Sequence, residues 1–139
     1  MMNTKRILVA TNLSHKRDTA FDRGLAIART TGAELYLLHA VPPHQPFSLG
    51  GLDRLRRTAD LRRRAARAGV PFQAVEQHGD PAEIIGLHAS TRAVDLVVMG
   101  AERNRKPKWL RRASLTERVL QRSTTPTLIV PADEHLPAA

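Results

Sequence analysis

The chain contains no cysteine, so disulfide staples, thiolate metal sites and cysteine nucleophiles are excluded together. That absence fits a cytoplasmic protein. Aromatic side chains are also scarce, and the single tryptophan, Trp109, stands among six cations of one loop, a thin basis for base stacking. No DNA- or RNA-binding module is visible, so no nucleic-acid partner is expected. No apolar run approaches membrane-spanning length, and the stretch between Arg6 and Asn12 is too short for a signal-peptide core, so neither membrane insertion nor export is expected. The six histidines, His15, His39, His44, His78, His88 and His135, form no pair at ligand spacing with carboxylate support, which argues against a metal centre. Ser14 and Ser114 have no base to activate them and stand where helix N-caps belong. The sequence therefore offers no catalytic set, and no enzymatic activity is expected.

What is present is an α/β pattern. Ile7 to Ala10, Leu35 to Val41, Leu96 to Met99 and Thr127 to Val130 are apolar runs of strand length without polar alternation, as expected of strands covered on both faces of a parallel sheet. Val70 to Gln77 reads as a further strand. Between them lie helical segments: residues 16–31, with Phe21, Leu25 and Ala28 on one face and Gly32 as C-cap; residues 51–69, ending at Gly69; and a helix opened by Asp80, Pro81 and Glu83 in a capping box. A fourth helix opens at Ser114. Asp95 fits the turn before the fourth strand, and Glu117-Arg118 reads as an exposed pair. At 139 residues the chain is expected to be a single domain, residues 1–139, with 133–139 a loose tail. Five strands alternating with four helices make a three-layer, doubly wound α/β fold, whose ligands collect at the carboxyl ends of the strands.

Basic residues outnumber acidic ones by 22 to 13, and the excess is unevenly placed. Residues 53–67 carry seven Arg and two Asp; residues 101–112 carry six cations and one Glu. Each segment nets +5, leaving the remainder of the +9 chain at −1. On a helical wheel Arg56, Arg57, Arg63, Arg64 and Arg67 share about one third of the circumference, which predicts an outward cationic face, with Leu52, Leu55, Leu61 and the alanines covering the sheet. Two readings stay open for these patches, solvated faces or a module for polyanions. The second patch lies between the fourth strand, ending at Gly100, and the helix opening at Ser114. A strand, a loop of backbone amides and a helix N-terminus form a phosphate cradle by position. Its chemistry differs, because residues 103 and 113, where glycine would let backbone approach an anion, are Arg103 and Ala113.

Four segments in order and at matching spacing give the chain a family resemblance. They are Ile7 to Ser14, Gly32 to Val41, Gly79 to Ile85, and Asp95 to Gly100 continued by Ser114 to Leu120 and Pro126 to Val130. In these the chain resembles the universal stress proteins over nearly its whole length. The resemblance implies a Rossmann-like, adenine nucleotide alpha hydrolase-like sheet of order 3-2-1-4-5 and a homodimer joined along strand 127–130. It also implies a stress-response protein acting by ligand and partner binding without turnover. ATP-binding members carry Gly, two residues, Gly, nine residues, then Gly followed by Ser or Thr. Here Gly100, Arg103, Ala113 and Ser114 keep that spacing with only the first Gly and the Ser. Asn12 stands where those members carry an acidic residue, and Val41 stands where backbone atoms would meet an adenine. The pattern is similar to the universal stress protein A class, whose members generally lack ATP binding. It leaves open ATP, another adenine nucleotide or a small phosphate ligand held by Asn12, Val41, Gly100, Arg103, Ala113 and Ser114.

Overall fold

Apolar strands without polar alternation need cover on both faces, and the chain supplies it. The computed structural model describes residues 4–11, 13, 18–41, 51–101 and 114–131. Among these, β1 (Arg6–Thr11), α1 (Thr19–Thr31), β2 (Glu34–Val41), α2 (Gly51–Arg67), β3 (Phe72–His78), α3 (Pro81–Thr91), β4 (Leu96–Gly100), α4 (Leu115–Arg122) and β5 (Thr127–Val130) follow in strict alternation. The strands form one parallel sheet in the order β3-β2-β1-β4-β5. The expected architecture is present, with β1 and β4 at the point where the winding reverses.

Side chains alternate between two cores. Ile7, Val9, Leu35, Leu37 and Val98 point to the face covered by Phe21, Leu25 and Ala28 of α1 and by Leu61 and Ala65 of α2. Leu8, Tyr36, Leu38, Val97 and Met99 point to the other face, under Ile85 and Ala89 of α3 and Val119 of α4. Burying such side chains contributes about 1.5–3 kcal/mol each, so the central strands hold the sheet together. Helix α1 approaches closest, because Gly24 lies against Val9: a Cβ there would sit 2.5 Å from Val9 Cγ2. At the other end of the sheet, Asp95 accepts the backbone N–H groups of Lys5 (2.8 Å) and Arg6 (3.0 Å), fastening the start of β4 to β1.

Several local expectations are corrected. Helix α1 begins at Thr19, not residue 16, because Asp18 supplies the cap by accepting the Phe21 N–H at 2.9 Å. Ser14 lies outside the described residues and is not that cap. Helix α2 ends at Arg67, and β3 runs from Phe72 to His78. Leu52 and Leu55 are exposed, leaving Leu61 and Ala65 as the buried residues of α2. Asp80 caps α3, but Glu83 does not complete a reciprocal box: its carboxylate pairs with Arg122 at 3.0 Å. Arg118 pairs with Asp80 at 2.8 Å, not with Glu117. The cationic face of α2 is also less free than its wheel suggests. Arg57 donates to the Leu13 carbonyl, while Arg64 pairs with Asp22 at 2.6 Å and lies 5.0 Å over the Phe21 ring. Both therefore turn toward β1 and α1.

Candidate ligand site at the carboxyl edge of the sheet

Strand β1 leaves the sheet through a tightly tied turn. The Thr11 hydroxyl donates to the Asp18 carboxylate and accepts the Leu13 N–H at 3.0 Å. Leu13 sits in the left-handed region, φ 55°, uncommon for a residue with a branched side chain. This turn fixes where α1 starts relative to the sheet crest.

Next to it, β2 ends at Val41. Its side chain is buried, so only its backbone is offered to the crest, and its carbonyl already accepts the Gly79 N–H at 2.9 Å. Strand β4 ends at Gly100, two strand positions from Val41, about 10 Å away. Among the described residues, a Cβ built on Gly100 would meet no atom within 4 Å, so space is open there. Gly100 does not adopt a positive φ, and its register is held because the Ala101 N–H donates to Val130 at 2.8 Å. The position therefore tolerates a side chain conformationally and leaves room for one sterically. Beyond it, Ser114 caps α4, with Oγ accepting the Glu117 N–H at 3.1 Å. Its hydroxyl proton and the other N-terminal amides of α4 stay available to an anion. Val41, Gly100 and Ser114 are thus placed on one edge. Asn12, Arg103 and Ala113, together with Trp109 and the other loop cations, lie outside the described residues.

Two groups missed in the sequence fix this edge from below. Asp80 joins α3 to α4 through Arg118 at 2.8 Å and Arg122 at 3.7 Å. The Arg118 hydrogen bond, helped by the Glu83 N–H, holds the Asp80 carboxyl below the usual carboxylate range against a smaller opposing effect of burial. The second is a buried polar pair: His88 Nδ1 lies 3.0 Å from the Tyr36 hydroxyl and Nε2 lies 2.7 Å from Gln77 Oε1. A neutral imidazole donating from Nε2 and accepting at Nδ1 satisfies both. Burial, then the nearby Arg92, lowers its proton affinity. His39, on the other face, is also buried, with Nδ1 3.6 Å from Glu76 and without a hydrogen bond. Its proton affinity is lowered by burial, partly offset by Glu76. Among the described residues no group of His, Asp and Glu could hold a metal ion.

The universal stress protein family model matches residues 3–131 of the chain. The chain belongs to the universal stress protein family. This universal stress protein is 28% identical over 144 residues to universal stress protein YxiE of Bacillus subtilis, covering 90% of this chain and 97% of that one. It is similar to a universal stress protein solved in complex with cAMP, at 25% identity and TM-score 0.74, covering 94% of this chain and 98% of the other. It shares its fold with a universal stress protein from Archaeoglobus fulgidus solved in complex with dAMP, at 16% identity and TM-score 0.68, covering 93% and 99%. The resemblance carried by the four sequence segments is thereby shown.

Proposed function

We propose that this universal stress protein acts by binding, without turnover, and that its ligand is an adenine nucleotide with a single phosphate. The base would meet the backbone at Val41, and the phosphate the Ser114 hydroxyl and the N-terminal amides of α4. The observation that carries this reading is the open space over Gly100, between the end of β1 and the cap of α4. Similarity to a cAMP complex over nearly the whole of both chains supports it. Asn12, Arg103 and Ala113 complete the proposed site. Arg103 and Ala113 replace the glycines that would give a triphosphate room at the backbone, and a single phosphate needs less of that cradle. Absence of turnover is supported by the hydroxyls at this edge, each committed to structure: Thr11 to Asp18 and Leu13, Ser114 to Glu117.

Calorimetric titration with AMP and cAMP, joined to mass spectrometry of small molecules released on heating, tests the reading. Binding of either nucleotide, unaltered after prolonged incubation, is expected. No binding of any adenine nucleotide, or its conversion to product, would overturn it.

The same proposal includes a homodimer through the β5 edge and action in the cytoplasm. β5 ends the sheet, with Leu128 partly exposed beside a groove of about 420 Å³ shared with Ile27 of α1. An uncovered edge strand invites pairing. No helix among the described residues is long and apolar enough to cross a membrane. Leu128→Lys is the cleaner probe of the edge, because Ile129 packs against the second core. Light scattering should move from dimer to monomer in that variant; a monomeric parent protein at high concentration would remove the dimer.

A further inference from the structure

The seam between α1 and α2 holds a cleft of about 470 Å³, outside the crest site. Leu13 and Asp18 line one side, and Arg57, Arg63, Arg64 and Arg67 of α2 line the other. The four guanidiniums are unequally neutralised. Arg64 has Asp22, and Arg63 has Asp60, one turn earlier on its own helix. Arg57 donates to a neutral acceptor, the Leu13 carbonyl, and Arg67 has no ion pair among the described residues. Asp18 is occupied by the Phe21 N–H and the Thr11 hydroxyl, so it is not a counterion for either. Arg57 and Arg67 thus leave two uncompensated charges on one wall, about 15 Å apart along the helix axis. Arg63, 62% exposed and held by a surface pair of little strength, is free to exchange Asp60 for a stronger anion.

We propose that this seam is a second anion site, taking a small ligand with two or more linked phosphates. The inference is independent of the crest reading. Guanidinium is planar and donates through paired N–H groups, the geometry that grips phosphate oxygens two at a time. Several guanidiniums along one helix face suit a chain of phosphates better than a single one. Such a chain could be inorganic or the tail of a nucleotide.

The test is titration of isotope-labelled protein with inorganic tripolyphosphate, ATP and adenosine at about 0.15 M ionic strength, where diffuse attraction is screened beyond roughly 8 Å. Tripolyphosphate is expected to shift the amides of Leu13 and Leu61 and to leave Gly100 and Ser114 unmoved. Arg63→Gln with Arg67→Gln should weaken it about tenfold or more, the loss of one charge-assisted contact. Both residues are exposed, so thermal melts should match the parent. Arg29→Gln with Arg56→Gln removes the same charge away from the cleft and should leave affinity within about twofold. Tighter binding of ATP than of tripolyphosphate at the same amides assigns the phosphates to a nucleotide, and the reverse assigns them to an inorganic chain. Shifts at Gly100 and Ser114 alone, equal losses from the two double variants, adenosine binding in the cleft, or no binding would each overturn the proposal.

Discussion

Gly24→Ala is the sharpest test of how α1 is set on the sheet. The added Cβ would lie 2.5 Å from Val9 Cγ2, 3.4 Å from Leu35 Cδ1 and 3.9 Å from Ile7 Cγ2. Carbon atoms prefer about 3.5–4.0 Å, so the first contact is about 1 Å too short. Val9 cannot retreat, because it is fully buried on β1, a strand paired on both sides, and its branched side chain is stiff about χ1. The helix must lift instead, carrying Asp18 with it. Overpacking of this kind costs up to about 3 kcal/mol, and the better helix propensity of alanine returns about 1 kcal/mol. The expected net loss is about 2 kcal/mol, or roughly 8 °C in Tm at this chain length. Gly86→Ala is the matched control: Gly86 lies within α3, and among the described residues a Cβ there meets nothing within 4 Å. It should gain up to about 1 kcal/mol. Urea unfolding followed by circular dichroism reads both. Equal stabilisation in the two variants would refute the close approach of α1 to β1.

Asp80→Ala removes the cap of α3 and the partner of Arg118 together, and should cost about 1–2 kcal/mol in urea unfolding. Asp80→Asn keeps a capping oxygen and should lose less; equal losses would mean the ion pair contributes nothing. Acid should destabilise the fold early. His39 and His88 both have folded proton affinities below the ordinary imidazole value, so the unfolded chain binds more protons. Stability is then full above about pH 6.5 and falls as pH drops below it, by at most about 1.4 kcal/mol per pH unit for each histidine. Replacing His88 with Gln should flatten that slope in pH-dependent melts, and an unchanged slope would count against its role.

The sheet was legible because its strands are nearly continuous apolar runs and its helices carry clear stops. Gly32 does end α1 in the left-handed conformation, φ 75°, and Asp80 with Pro81 does open α3. The start of α1 was misplaced because Ser14 and Asp18 are both good caps, and tertiary contacts chose between them: Asp18 also binds Thr11. The preference for Asp18 could have been read from its place directly before the apolar face that Phe21 begins. The arginines of α2 misled because a wheel ranks positions around an axis without saying what stands opposite. Arg57 and Arg64, two turns apart, face β1 and α1, and that can be known only once the helices are packed. The Asp80–Arg118 link joins residues 38 apart and leaves no local trace. Of the crest residues, Val41, Gly100 and Ser114 fell on one edge because strand ends are set by topology. The open space over Gly100 is a property of the packed structure alone.

The central claim is that a nucleotide occupies that space. Gly100→Val decides it most directly, since Gly100 needs no positive φ and the space above it is open, so the side chain should enter without disturbing the fold. Calorimetric titration of AMP and cAMP into parent and variant, with matching melts as control, is predicted to show binding in the parent and its loss in Gly100→Val. Equal binding by both proteins would place the ligand elsewhere and contradict the account.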